Sequence, residues 1–324
     1  MHMNFKVLVT ATELATEGLV LLEQAGAKVI YMQEPESTHE LSLILASQAV
    51  DAIIARTVTI SAEAMAKSCT LKVISKHGVG FNNIDVAAAT ALGIPVFFTP
   101  GVNAASVAEM TIGLLLAAAR RISWMDKEVH AGRWSRLQHG IELQGKTIGL
   151  VGLGQVGRRV ALVCQALGMR VLAFSPSLKT SPLHGVELCA SLAQLLQTSD
   201  VLSLHLPLTA QNKNLLGAAQ FALMPRGAIL INTARGELVN EVALAEALQT
   251  GQLFAAGIDT TVQEPLPDGS ALRGLQNLVI TPHVAASTPA ALAGMASGAA
   301  RNLLDFLRGQ SMQHAACANR QVLR

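Results

Sequence analysis

The sequence predicts an α/β protein with parallel sheets in two domains, and three observations carry that reading. Short apolar runs alternate with helical stretches along the whole chain, the pattern of βα units whose sheets are covered on both faces. One such run, Thr147-Ile148-Gly149-Leu150-Val151, passes directly into Gly152-Leu153-Gly154-Gln155-Val156-Gly157 and a helical stretch. The composition, 51% hydrophobic against 14% charged and 3% aromatic, suits extensive buried helix and sheet and is far too apolar for a disordered chain. At 324 residues the chain has room for two cores.

In order, strands are expected at 5–10, 28–32, 52–56, 72–77 and 95–99, with helical segments between them such as 83–92, ended by Gly93. After Pro100-Gly101 comes a long helix over about 102–121. Its expected capping box pairs Ser106 with Glu109, and Arg120-Arg121 suit the dipole of its last turn. A second series of strands follows at 147–152, 170–175, 186–188, 201–206, 228–233, 254–259 and 278–281, and a final helix at about 288–307. One βα series thus runs to about residue 100 and another to about 287.

Several function classes are disfavoured at this level. Twenty-four Lys and Arg against 22 Asp and Glu leave a net charge of +2, with no basic footprint for nucleic acid. Cys69, Cys164, Cys189 and Cys317 form no C-x-x-C pair. That argues against a disulfide framework or a metal site and fits a reducing cytosol. The first residues show no secretory leader. The longest uncharged run, 86–108, is broken by Gly93, Pro95, Pro100 and Gly101, so no membrane span is expected.

The glycine motif has a definite chemistry in its strand–turn–helix setting. Gly152 permits the tight turn, Gly154 lets the backbone approach a pyrophosphate, and Gly157 allows close helix–strand packing. The helix that the motif opens, expected over 158–167, offers N–H groups to the anion, and Gln155 and Val156 of the motif are taken with the glycines as cofactor-binding residues. A Rossmann site selecting NAD carries a carboxylate about 20 positions on, but Ser175 stands there, followed by Ser177 and Lys179. The choice between NAD and NADP therefore stays open.

Downstream stand Asn232-Thr233-Ala234-Arg235-Gly236-Glu237, Gly257-Ile258-Asp259 with Glu264-Pro265, and Thr281-Pro282-His283. With the glycine motif and the segment Lys76-His77-Gly78-Val79-Gly80-Phe81-Asn82-Asn83-Ile84-Asp85, the chain resembles the D-isomer-specific 2-hydroxyacid dehydrogenase family over nearly its whole length. The resemblance implies two Rossmann-like or flavodoxin-like domains: a discontinuous substrate domain at 1–99 and 288–324, and a dinucleotide domain at 100–287. It implies a catalytic trio of Arg235, Glu264 and His283. Chemistry agrees: reduction of a 2-oxo acid needs a cation for the carboxylate and a proton donor for the carbonyl oxygen. By the same resemblance Pro207, Thr233 and Asp259 lie at the cofactor, the Val79 and Gly80 amides receive the substrate carboxylate, and Asn103 lies near the cleft. It also suggests a homodimer formed through the helix at 102–121 and the arm at 122–145.

Arg56 bears on substrate choice, because a second cation there would favour a dianionic or phosphorylated acid, with Lys76 assisting. Either charge serves equally well as a strand-end cap. His205, in an apolar strand, is expected to pack in the core, whereas His77 lies within the presumed substrate loop. The alternative to an enzyme is a slow nucleotide-sensing protein of the corepressor type. Formate or phosphite oxidation is disfavoured for want of the additional site features those branches use.

Overall fold

The computed structural model describes residues 5–136, 139–309 and 316–323. The chain divides into two compact units, one of Met1–Asn103 with Ser287–Arg324 and one of Ala104–Ala286.

The first unit holds β1 (Lys6–Val9), α1 (Thr16–Gln24), β2 (Lys28–Tyr31), α2 (Thr38–Ser47), β3 (Ala52–Ala55), α3 (Ala62–Ala66), β4 (Val73–Lys76), α4 (Val86–Ala91) and β5 (Val96–Phe97). Its strands form one parallel sheet in the order β2-β1-β3-β4-β5. Ala-Ile-Ile-Ala in β3 is buried throughout, as a central strand covered on both faces must be. Side chains of Ser37, Ser61 and Asp85 cap α2, α3 and α4. The returning helix Pro289–Leu307 completes the unit. Thr288 caps it by accepting from the Ala291 amide, and Pro289 opens its first turn.

The second unit begins with α5 (Ala104–Arg120) and α6 (Ile122–His130). It continues through β6 (Thr147–Val151), α7 (Gln155–Ala166), β7 (Arg170–Phe174), β8 (Val186–Leu188), α8 (Leu192–Thr198) and β9 (Val201–Leu204). It ends with α9 (Ala218–Leu223), β10 (Ala228–Asn232), α10 (Glu241–Gln249), β11 (Leu253–Ile258) and β12 (Leu278–Ile280). All seven strands are parallel, in the order β12-β11-β10-β9-β6-β7-β8. The order reverses between β6 and β9, the switch point where such sheets open a crevice at their carboxyl ends. The fully buried β9 and β10 form its centre.

Two local expectations are corrected. The α5 helix starts at Ala104, because the turn after Pro100 winds straight into it. Ser106 therefore lies inside the first turn, where it cannot form a capping box with Glu109. The helix also stops at Arg120, since Arg121 adopts a left-handed backbone with φ +56° that a continuous helix does not allow. The arm expected after it opens as α6; residues 137 and 138 of that arm lie outside the described residues. Among the described residues no helix is long and apolar enough to cross a membrane.

Candidate active site

In the second unit the expected site residues follow the carboxyl ends of parallel strands, so all emerge from one edge of the sheet. After β6, Gly152 has φ +98°, and a Cβ there would stand 2.8 Å from the carbonyl carbon of His205. Only glycine meets both demands. A Cβ on Gly157 would overlap the Gly152 carbonyl oxygen, whereas one on Gly154 would meet nothing within 4 Å. The turn is therefore packed on the protein side and open on the other. Gly154 precedes α7 with no side-chain cap, so the first amides of that helix, at Gln155 and Val156, are left for an anion. A dinucleotide pyrophosphate fits this cradle. The helix starts at Gln155, earlier than a first helical residue at 158 suggested, because Gly154 itself ends the turn. Arg158 Nε donates to the Leu153 carbonyl at 3.0 Å and fastens the turn from within.

Ser175 follows β7 and accepts the Leu178 amide at 2.9 Å, closing a turn that leaves Lys179 exposed. After β9, the His205 ring lies 2.9 Å from Ser203 Oγ through Nε2, and desolvation pushes its pKa down to about 4. His205 is thus a neutral packing residue beneath the glycine turn. Pro207 begins the following loop, where its carbonyl accepts from Asn212 at 2.8 Å.

The end of β10 is braced by a residue that sequence reasoning missed. Buried Asn232 accepts the Ala234 amide at 3.0 Å and donates to the Arg235 carbonyl at 2.8 Å. This Asx-type turn fixes the backbone that presents Arg235. Thr233 Oγ1 lies 2.8 Å from Thr111 Oγ1. The Thr111 hydroxyl donates to Val107, so Thr233 is the donor. Burial pulls the Arg235 guanidinium below its ordinary pKa, opposed by the charges of Glu237 and Glu264.

Glu264 Oε1 accepts the Thr261 amide at 3.1 Å, and Oε2 lies 2.8 Å from His283 Nδ1. Burial raises the Glu264 pKa, but the hydrogen bond and charge of His283, the Thr261 amide and Arg235 together outweigh it and hold the carboxyl below its usual value. Glu264 is therefore ionised at neutral pH. It claims Nδ1, and Nε2 of the half-exposed imidazole has no partner among the described residues. His283 itself has φ +54°, a left-handed backbone that costs a non-glycine residue about 1 kcal/mol or more.

Asp259 supplies the restraint for that conformation. Its carboxylate accepts from Thr281 Oγ1 at 2.5 Å and from the Val284 and Ala285 amides at 2.9 and 2.8 Å. Its carbonyl accepts the His283 amide at 2.8 Å. Nearly all of the carboxylate is thus spent on the His283 turn, a role that the expected cofactor contact did not foresee.

The expected substrate residues of the first unit follow β3 and β4. Buried Lys76 donates to the Arg56 carbonyl and to Asn83 Oδ1, the latter at 2.7 Å. Its ammonium ties the ends of the two strands together. Arg56 lines a small cavity with His77 and Ala11. Desolvation and the Arg56 charge push the His77 pKa down to about 4. Gly78, with φ +143°, pairs through both backbone groups with Thr99. The next amides, those of Val79 and Gly80, donate to no acceptor among the described residues. Asn103 ends this unit in the turn before α5. Among the described residues no group of His, Cys, Asp and Glu is arranged to hold a metal.

Comparison with known proteins agrees with this geometry. The family model for the D-isomer specific 2-hydroxyacid dehydrogenase NAD binding domain matches residues 112–285. A glyoxylate reductase of Aeropyrum pernix is 38% identical over 98% of this chain and 97% of its own. A D-3-phosphoglycerate dehydrogenase of Archaeoglobus fulgidus is 42% identical over 82% of this chain, which spans only 51% of that relative. Among solved structures, the TT0316 protein of Thermus thermophilus superposes with a TM-score of 0.87 at 39% identity, covering 95% of this chain and 98% of that one. With the glycine cradle after β6 and the Glu264–His283 pair on the same sheet edge as Arg235, these matches make the chain a member of the D-isomer-specific 2-hydroxyacid dehydrogenase family, oxidoreductases that use a nicotinamide cofactor.

Proposed function

We propose that the chain reduces short 2-oxo acids, glyoxylate and hydroxypyruvate foremost, to the 2-hydroxy acids, and runs the reverse oxidation with the same residues. The hydrogen bond between His283 and Glu264 carries this reading. It fixes a half-exposed imidazole as proton donor on the sheet edge that also presents Arg235. The match to a glyoxylate reductase over nearly the whole of both chains supports a small substrate.

The Arg235 fork holds the substrate carboxylate and stabilises charge developing on the adjacent carbonyl oxygen. The Val79 and Gly80 amides, which have no acceptor among the described residues, receive carboxylate oxygens. The first-turn amides of α7 and the open face of Gly154 hold the dinucleotide, with Ser175, Pro207 and Thr233 along its length. When bound, the dinucleotide supplies the hydride for reduction or accepts it in oxidation. In reduction, His283 Nε2 passes its proton to the carbonyl oxygen while Nδ1–H stays on Glu264. The imidazole then recovers a proton from solvent, which its exposure permits. In oxidation the neutral Nε2 takes the hydroxyl proton, and Glu264 stabilises the cation that forms.

Arg56 extends acceptance toward acids with a second anionic group. Two chains pair through α5 and α6: Ile122, Met125 and Val129 are exposed on α6 at the i, i+3, i+7 spacing of one helix face, and Trp134 beyond it is 76% exposed. Sedimentation equilibrium checks the dimer. The decisive test is NADH and NADPH oxidation with glyoxylate, hydroxypyruvate, pyruvate and 3-phosphohydroxypyruvate. His283→Ala should lower kcat by about 10²–10⁴-fold with cofactor affinity retained. Negligible turnover by the unmodified chain with every acid would leave a nucleotide-binding protein and overturn the proposal.

A further inference from the structure

The pairing of Glu264 with His283 depends on a short exposed stretch of chain. After buried Thr261, the residues Val262, Gln263, Glu264 and Pro265 are all exposed. Side-chain packing therefore restrains this stretch little, and hydrogen bonds must set its shape. Two of those bonds are internal. The Thr261 amide donates to Glu264 Oε1 at 3.1 Å, and the Thr261 hydroxyl to the Gln263 carbonyl at 2.8 Å. They close the turn without joining it to another element. Glu241 makes that join: its Oε1 accepts the Val262 amide at 2.7 Å.

Glu241 is firmly mounted for this task. It is the first residue of α10, where the helix dipole favours a carboxylate. Asn240 before it caps the helix by accepting the Ala243 amide at 3.0 Å, and its own amide donates to the Leu216 carbonyl at 2.8 Å. Ala243, Leu244, Ala245, Ala247 and Leu248 anchor α10 by burial. A carboxylate on a fixed helix start thus holds an amide of a turn that has few restraints of its own, through a bond strengthened by its charge. Adjacent amides of one turn, at 261 and 262, go to two different carboxylates, Glu264 and Glu241. Glu264 Oε1 is spent on the first amide, and Oε2 lies 2.8 Å from His283 Nδ1.

We propose that Glu241 is a positioning residue for proton transfer: by holding the Val262 amide it sets the reach of Glu264 to His283, and it acts through Glu264 rather than on the reactants. The inference rests on the reading of His283 and Glu264 as the acid–base pair. His283, the Thr261 amide and Arg235 hold the Glu264 carboxyl below its usual value against the effect of burial. A turn released at Val262 weakens the bond to His283, so that carboxyl should rise toward the usual value. The ionised form is lost as pH falls through the folded pKa, so the acid limb of activity should move to higher pH.

Glu241→Ala and Glu241→Gln are compared with the unmodified chain and with Glu264→Gln, by NADH oxidation with glyoxylate across the pH range and by urea unfolding. In Glu241→Ala kcat should fall about tenfold, as a displacement well under an ångström at the reacting centre would cause. The KM for NADH should hold, and the acid limb should shift upward. Glutamine keeps an acceptor oxygen, so Glu241→Gln should recover most of kcat and the parental pH profile. The His283 ring Cε1–H resonance, assigned by its loss in His283→Ala, reports the pairing without turnover; its titration should change in Glu241→Ala and not in Glu241→Gln. Parental kcat and titration in Glu241→Ala overturn the proposal. So does a loss of kcat with an unmoved pH profile, or a Glu241→Gln variant as impaired as Glu241→Ala. Glu264→Gln separates the two readings. If it is impaired while Glu241→Ala is not, only the positioning role fails; if it keeps the parental kcat and pH profile, the acid–base pair itself fails.

Discussion

Gly236 lies so close to the backbone of Thr261 that a β-carbon added to it would overlap the Thr261 carbonyl group and stand 2.5 Å from the Val262 amide nitrogen. This approach joins the segment that presents Arg235 to the segment that presents Glu264, whose Oε1 is held by the Thr261 amide. The glycine therefore sets the spacing of the two segments that carry the proposed catalytic groups Arg235 and Glu264.

Gly236→Ala should separate the two segments. Overpacking of this kind costs about 1–3 kcal/mol of stability, and an ångström of displacement at a reacting centre costs about 10²-fold in rate. Urea unfolding together with kcat and KM checks both effects. Near-normal kcat in a folded variant would show that the approach does not position the site.

Much of this site is legible in the sequence, for a definite reason. The glycine turn is local: three glycines at fixed spacing after an apolar strand state their own geometry. Arg235, Glu264 and His283 sit in short motifs that follow strands, and parallel topology carries all strand ends to one edge. Contacts through space were not legible. Nothing in the spacing tells that Asp259 ties down Thr281, Val284 and Ala285, or that Gly236 meets Thr261. The Asn232 brace was closer to view, since Asn two residues before a turn amide is a local signal. That Lys76 at the end of β4 donates to the Arg56 carbonyl and to Asn83 was likewise not legible. The left-handed Arg121 interrupts a helical pattern that the sequence continues smoothly.

Asp259→Asn tests the brace on His283. An amide at 259 offers one acceptor oxygen where the carboxylate serves the Thr281 hydroxyl and two amides, so at least one donor is left unsatisfied. The left-handed backbone of His283 then loses its restraint. The variant should lose about 1–3 kcal/mol of stability and about 10²-fold in kcat, with a smaller change in KM. A rise in KM for the cofactor alone, with kcat intact, would favour the cofactor contact over the brace.

Acid should destabilise both units, each through one desolvated histidine. His77 lies in the unit of Met1–Asn103 and His205 in that of Ala104–Ala286, and both have folded pKa values of about 4 against 6.5 in the unfolded chain. Between these values the unfolded chain binds a proton that the native state refuses. The stabilisation is therefore complete above pH 6.5 and is lost as pH falls toward 4. Between pH 7.5 and 5 the loss is about 2 kcal/mol per histidine. Urea unfolding followed across this range checks it, and His205→Asn should flatten the slope for the second unit only. A flat stability curve from pH 7.5 to 5 would mean that both rings protonate in place.

Cofactor choice turns on Ser175, which stands at the end of β7 where a carboxylate would bond the ribose hydroxyls and repel a 2′-phosphate. Without that repulsion, phosphate attraction decides. Exposed Lys179 follows the Ser175–Leu178 turn, whereas Arg158 is partly committed to the Leu153 carbonyl. One exposed lysine is worth little more than a single charge-assisted contact, so NADH and NADPH should differ by only about 1–2 kcal/mol in kcat/KM. Ser175→Asp should restore a strong preference for NADH by adding like charge against the phosphate, and Lys179→Ala should weaken NADPH alone. If the unmodified chain already rejects NADPH by more than about a hundredfold, equivalent to about 2.7 kcal/mol, the serine hydroxyl or the adjoining backbone performs the discrimination. The Ser175→Asp substitution would then change the preference little.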